Sequence, residues 1–324
     1  MITVPTVLIL GAGASMDFGF PSGTGLIEGI LKSTNPDGDG RARGQLIELG
    51  FKVDQINRFH SQLSQAAMPS IDDFLEHNHE FIRIGKTAIA QTLVRYERPE
   101  VLFRLENNWY KYLFGKMMTE FAAFKNNRLS VITFNYDRSL EHFLFTTLKN
   151  SFGKDDAAVT EALRSIPIIH FYGRLGYLPW QTQHDSREYH RNNDIRAIDT
   201  ASLFITVIHE AEGQVSEKVT QARKALHEAE RIVFLGFGYH RTNLERLALP
   251  KYQPSIRLRI YGSCFEKTIL ECNEINDWFK RDRGITQPLL DGIFLGKPEW
   301  KNLQFLRVRL QKGHHPTARG IHAL

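Results

Sequence analysis

Val7-Leu8-Ile9-Leu10 runs straight into Gly11-Ala12-Gly13-Ala14-Ser15 near the start of the chain. An apolar run that meets G-x-G at once is how a buried parallel strand turns into a helix able to hold a phosphate. Gly11 allows the tight turn, and Gly13 lets backbone approach a diphosphate without an intervening Cβ. The N–H groups of the next helix then face the anion, reinforced by roughly half a positive charge from the helix dipole. Met16 stands where the third glycine of the dinucleotide fingerprint would be, and no acidic residue closes a second strand about twenty residues on. A plain strand–turn–helix has the same letters, so the rest of the chain decides.

Downstream, apolar runs recur at Leu129–Thr133, Ile166–His170, Ile232–Leu235 and Ile256–Ile260, with helical patterns between them, one from about Arg138 to Lys149. Strands alternating with helices predict an α/β fold, a Rossmann-like doubly wound parallel sheet covered on both faces. Over about residues 45–127 the pattern is helical instead: Ile71, Phe74, Leu75, Phe81, Ile82, Ile89 and Leu93 recur near a 3.6 period, as do Trp109, Tyr112, Leu113, Met117 and Phe121. This predicts a helical subdomain inserted in one domain spanning residues 1–312, followed by a tail at 313–324. The Gly/Pro/Ser-rich segment Gly19–Gly25 reads as a lid beside the phosphate turn, or as a plain connection.

Composition narrows the function classes. With 42% hydrophobic and 24% charged residues among 324, the chain has the make-up of a folded globular protein. No apolar run reaches the roughly eighteen residues that span a bilayer, and the N-terminus has no signal-peptide pattern, so a cytoplasmic location without membrane attachment is expected. The net charge is +5, but Lys and Arg are scattered, which argues against direct nucleic-acid binding. Two cysteines, Cys264 and Cys272, cannot make a four-cysteine zinc site, and their spacing places them too far apart to pair locally.

Parallel sheets bind ligands beyond the carboxyl ends of their strands. Three strands end there in polar clusters: Thr133-Phe134-Asn135-Tyr136-Asp137, His170-Phe171-Tyr172-Gly173 and Gly236-Phe237-Gly238-Tyr239. Each polar residue alone reads as a cap or a satisfied structural group. Converging on the rim that carries Gly11–Ser15, they point to a ligand site.

The order G-A-G-A-S, T-x-N-x-D, H-x-x-G, G-F-G resembles the sirtuin fold. The run Thr133-Phe134-Asn135-Tyr136-Asp137-Arg138-Ser139-Leu140-Glu141 is similar to the bacterial sirtuin-like NAD-consuming proteins of antiphage defence, as is Ser70-Ile71-Asp72-Asp73-Phe74-Leu75. The resemblance covers roughly residues 5–262. It implies a sirtuin-like NAD site in which Gly11, Ala12, Gly13, Ala14 and Ser15 carry the diphosphate, and Gly236 and Gly238 admit the adenosine half. Phe20 and Thr133 would complete the site. It further implies that Asp137 orients the nicotinamide carboxamide, Asn135 holds the ribose or a water, and His170 is the general base. The implied reaction is hydrolysis of NAD to nicotinamide and ADP-ribose, with a cyclised side product possible in chemistry of this type. NAD is the substrate, and neither a further cofactor nor zinc or another metal is needed. The family also implies a homo-oligomer and a partner such as a HerA-type ATPase or an Argonaute-like protein, in an NAD-depleting abortive-infection role.

The chain departs from true sirtuin deacylases in lacking their four zinc-ribbon cysteines, in Pro21-Ser22-Gly23 where they carry an Asp-Phe-Arg run after the proline, and in Phe134 where they have glutamine. A zinc-less deacylase is therefore the weaker enzyme reading, and a non-catalytic NAD or ADP-ribose-binding module is the competing class. Asp72, Asp73, Glu76, His77, His79 and Glu80 read as a solvated helix rather than a metal site, and residues 181–196 as a polar loop at the surface or bordering the site.

Overall fold

Every residue of Thr6–Leu10 (β1) is buried, because apolar layers cover both faces of the strand. Leu8 and Leu10 enter one core, and Val7 and Ile9 enter the other, as the two-residue alternation of a strand requires. The computed structural model describes residues 1–38, 40–104, 106–182, 184–207, 214–253, 258–286 and 292–310. The tail expected at 313–324 lies outside them.

Leu129–Thr133 (β2), Ile168–His170 (β3), Arg231–Leu235 (β4), Arg259–Gly262 (β5) and Phe294–Leu295 (β6) complete a six-stranded sheet in the order β3-β2-β1-β4-β5-β6. All pairings are parallel. This is the strand order of the doubly wound Rossmann sheet, and its reversal point falls between β1 and β4. The strand ends are level there: Leu10 lies opposite Thr133 on one side and Leu235 on the other, and Thr133 lies opposite His170. Four carboxyl ends thus deliver their loops to one crevice.

Between β1 and β2 the chain builds Ala12–Met16 (α1), Gly23–Thr34 (α2), Gly40–Glu48 (α3), Val53–Gln65 (α4), Ile71–His77 (α5), Ile82–Leu93 (α6), Pro99–Arg104 (α7) and Trp109–Met117 (α8). Ser139–Phe152 (α9) and Asp156–Leu163 (α10) lead to β3, and Ile195–Leu203 (α11) and Gln214–His227 (α12) lead to β4. Arg241–Leu247 (α13) precedes β5, Ile269–Arg283 (α14) precedes β6, and Asn302–Arg309 (α15) follows it. Helix α6 is the centre of the helical layer: Ile84, Ala88, Ile89, Ala90 and Leu93 are buried, and the helix packs against α2 and α11.

Three local expectations change. The helical segment begins at α1 rather than near residue 45, and the last three residues of the Gly19–Gly25 segment are themselves helix. Ser22 caps α2 by accepting the Gly25 N–H at 3.0 Å, which places two glycines in a first turn. Strand β5 lies at Arg259–Gly262 rather than 256–260; residues 256 and 257 are outside the described chain. Helix α14 starts at Ile269, after a Thr268–Glu271 capping box, so Cys264 precedes it. The two thiols are neighbours, and burial together with Cys272 pushes the Cys264 thiol up to about 12. Among the described residues no helix is long and apolar enough to cross a membrane.

Candidate functional site

The turns after β1 and β4 are locked to each other. Gly13 donates its N–H to Gly236 O at 2.9 Å, and Gly11 donates to Leu235 O at 3.1 Å. A Cβ on Gly11 would stand 2.6 Å from Gly236 O, and one on Gly13 would stand 2.9 Å from both Gly236 Cα and Gly236 O. Gly236 has a φ of +56°, and its own Cβ would meet Ala14 N at 2.0 Å. These glycines are therefore required by backbone-to-backbone packing before any ligand arrives. Trp109 Nε1 donates to Ala14 O at 2.8 Å and Asn302 Nδ2 to Gly13 O at 2.9 Å, so α1 is held from the helical layer and from α15. Since α1 has only five residues, its dipole is short, and the N–H groups of Gly11, Gly13 and Ala14 are already spent on Leu235 O, Gly236 O and Gly11 O.

The stretch after β2 fixes the crevice floor. Thr133 Oγ1 accepts the Asn135 N–H at 3.0 Å. The Asn135 amide donates to Gly11 O at 2.9 Å and to Ser15 Oγ at 3.0 Å, which uses both its hydrogens and settles its orientation. Its oxygen is what it has left to offer a ligand. Ser15 Oγ passes its own hydrogen to Asp137 Oδ2 at 2.7 Å. Asp137 Oδ1 takes the Ser139 N–H at 3.1 Å and the Ser139 hydroxyl. Ser139 spends its proton there, so the Tyr110 hydroxyl donates to Ser139 Oγ, at 2.6 Å. Burial raises the Asp137 carboxyl above its ordinary value, against the pull of the Ser139 and Ser15 hydrogen bonds.

The rest of that motif is structural. Arg138 is fully buried, holds Glu97 at 2.8 Å and donates to the carbonyls of Tyr177, Arg187 and Glu188. Arg187 also pairs with Glu97, and Tyr189 stacks on His142 with ring centroids 4.5 Å apart. Residues 184–196 are thereby fastened to α9 and the helical layer, and none of them lines the crevice. Burial and the nearby Arg138 push the His142 imidazole down to about 4.

His170 is 1% exposed. Its Nε2 lies 2.6 Å from Glu141 Oε1 and its Nδ1 lies 3.0 Å from Asn135 O. Both ring nitrogens thus face oxygen atoms of the protein, and neither is turned to the crevice. Burial by itself would raise the Glu141 carboxyl, but His170 and Arg174 outweigh it and hold that group below the usual range. The side chain from this loop that reaches the crevice is Tyr172, whose hydroxyl donates to Asn243 Oδ1 and accepts from Arg246 Nη1, each at 2.5 Å.

A cavity of about 280 Å³ opens over this floor, just under the usual span of small-ligand sites, roughly 300–1,000 Å³. Of the residues singled out from sequence, Gly11, Ala12, Gly13, Ser15, Phe20, Asn135, Asp137, Gly236 and Gly238 line it. Ala14, Thr133 and His170 lie behind its wall and act on it through the bonds above. Asp72, Tyr136, Tyr172, His240 and Asn243 add polar groups to its lining.

Asp72 departs from the solvated reading of its cluster: Oδ1 accepts the Tyr136 hydroxyl across 64 residues of chain. Its neighbours point elsewhere, Asp73 to the Ser70 hydroxyl at 2.7 Å and Glu76 to Arg246 at 2.6 Å. Burial, then Asp73 and Glu76, raise the Asp72 carboxyl to about 7 despite the Tyr136 bond and Arg246. In the sequence Tyr172 stands out only as a member of the polar cluster after Ile169, and Asn243 and Arg246 carry no signal. No protein-family model matches the chain, and no curated protein matches it.

Proposed function

We propose that this cavity binds NAD and cleaves its nicotinamide–ribose bond with water, giving nicotinamide and ADP-ribose. The observation that carries the reading is the pairing at the sheet's reversal point. Two interlocked glycine turns line the cavity with backbone where a diphosphate would lie, and beside them an oriented amide, Asn135, offers one acceptor to a ribose hydroxyl or to water. The bond to be broken needs no metal: nicotinamide leaves as a neutral group with the bonding electron pair, and the demand is for acceptors near a ribose that becomes cationic. Within this reading His170 is a positioning residue, holding the Asn135 carbonyl from behind. Asp137 orients Ser15 and thereby Asn135.

The wider setting belongs to the same proposal and rests on the motif resemblance alone. It comprises a sirtuin-like protein of the bacterial cytoplasm that depletes NAD in antiphage defence, as a homo-oligomer or with an ATPase or Argonaute-like partner. The test is nicotinamide release from NAD, followed by chromatography at several protein concentrations, for the unaltered protein and Asn135→Ala. Release that vanishes in the variant supports hydrolysis.

A binding module that holds NAD or ADP-ribose without turnover is the second reading. It is favoured by one observation: the imidazole expected as base lies behind the cavity wall with both nitrogens engaged. Tight ADP-ribose binding without nicotinamide release at any concentration would decide for it.

A further inference from the structure

We propose that Asp72 is the catalytic base of this cavity, the carboxylate that takes the proton of the attacking water; the inference rests on the hydrolase reading above. A hydrolase needs an acceptor at the ribose, and the other acidic groups near the crevice are committed. Asp137 receives three hydrogen bonds on its two oxygens. Glu141 is paired with His170 and Glu76 with Arg246, and neither lines the cavity. His240 lines it from the start of α13, where its side chain is exposed to bulk solvent.

Asp72 differs from all of these. It lies on the cavity wall, and only Oδ1 is engaged, by the Tyr136 hydroxyl. Among the described residues Oδ2 has no hydrogen-bond partner. The Tyr136 hydroxyl hangs from the backbone stretch that also carries Asn135, so the carboxylate and the amide are held by one short segment. The groups facing Asp72 are Asp73 and Glu76 from its own helix, Tyr136 after β2, Tyr172 after β3 and Arg246 from α13. Burial and the two carboxylates make Asp72 a stronger base than an ordinary aspartate, near neutrality, which is where a general base works best.

The step balances. The C1′–N bond of NAD breaks and its electron pair leaves with neutral nicotinamide. A water oxygen bonds to C1′, one water proton moves to Asp72 Oδ2, and that proton passes to solvent after ADP-ribose departs. Asn135 Oδ1 holds the second water hydrogen or a ribose hydroxyl. No oxidant or further reactant is consumed.

The experiment measures nicotinamide release from about pH 5 to about pH 9 for the unaltered protein, Asp72→Asn, Tyr136→Phe and His240→Gln, with ADP-ribose affinity by calorimetry on each. Asp72→Asn is expected to keep ADP-ribose affinity, lose about 10²–10⁴-fold in kcat, and lose the acid limb of the profile. Tyr136→Phe is expected to move that limb to higher pH, because a hydrogen bond that favours the carboxylate is gone. Formate added to Asp72→Ala should restore part of the rate. If Asp72→Asn turns over NAD with an unchanged limb, or if His240→Gln alone removes the limb, the Asp72 assignment is overturned while hydrolysis stands. Loss of ADP-ribose binding in Asp72→Asn also overturns it, by making the carboxylate a binding group. If the unaltered protein binds ADP-ribose and releases no nicotinamide at any pH or concentration, the hydrolase reading itself fails, and the assignment with it.

Discussion

Gly13 donates its amide hydrogen to the carbonyl of Gly236 at 2.9 Å, so the turns after β1 and β4 are fastened backbone to backbone across the reversal point of the sheet. The crevice geometry depends on that contact, and no side chain can be added at Gly236 without breaking it. Its φ is +56° and an added Cβ would stand 2.0 Å from Ala14 N. Gly236→Ala is expected to cost about 2–4 kcal/mol of stability, combining left-handed strain with overpacking. Gly23→Ala is the control. Its Cβ would meet nothing within 4 Å, and it lies in the first turn of α2, so it should be neutral or stabilise by up to about 1 kcal/mol. Urea unfolding of both variants checks the pair; equal midpoints would remove the interlock from the argument.

The buried pair of His170 and Glu141 predicts a stability defect where a surface catalytic histidine would give none. Removing one partner of a buried charged hydrogen bond costs about 3–5 kcal/mol where the other is left uncompensated, and Arg174, 3.9 Å from Glu141, offsets part of that cost. His170→Ala should therefore unfold at clearly lower denaturant at neutral pH. Because the folded Glu141 carboxyl is held below its ordinary 4.5, its contribution is present above that value and is lost as pH falls through the lower, folded value. The gap between the two proteins should narrow in strong acid. An unaltered denaturation midpoint for His170→Ala would contradict the pairing.

The residues just discussed also mark how far sequence reading reached. The runs at β1, β2 and β4 were legible as parallel strands, because strands buried on both faces lose the polar alternation and become continuous apolar runs. Their order was not, since it depends on which way each helical crossover turns. Strand β6 is two residues long and has no period to read. The segment Gly19–Gly25 looked like a loop because glycine is a poor helix former; Ser22 at the cap decides otherwise. At the site, the glycine turns were legible because the close backbone approach restricts their residue type, whereas Asn135 stood out only as a polar residue beyond a strand's carboxyl end. His170 ends β3 and Tyr172 lies two residues beyond it, and only packing tells that the imidazole turns into the core while the phenol lines the crevice. Asp72 read as part of a solvated helix because its partner, Tyr136, is distant in sequence.

Arg138 shows the same long-range logic in a purely structural role. It is 0% exposed, as is Glu97, and its guanidinium joins that carboxylate to three carbonyls of the 177–188 segment. Glu97→Gln is expected to destabilise the chain by about 3–5 kcal/mol, since two buried guanidinium groups lose their counter-charge. Limited proteolysis should then cut the 181–196 loop first. A loop that stays as resistant as in the unaltered protein would show that Arg138 does not anchor it.

Asp72 offers a test of its environment that needs no turnover. A carboxyl raised from 3.8 to about 7 in the folded chain favours its protonated form there. Its stabilising contribution is complete below the ordinary value, falls as pH rises through about 7, and is gone above. Asparagine accepts the same Tyr136 hydrogen bond and carries no charge to bury, so Asp72→Asn avoids that decline. The variant should match the unaltered protein in Tm near pH 4, pull ahead as pH rises to about 7, and keep a constant lead beyond it. Thermal melts at a series of pH values read this directly, without ligand. Parallel curves would mean that the carboxylate is solvated in the folded protein, and Asp72 would then have no more claim on a proton than any surface aspartate.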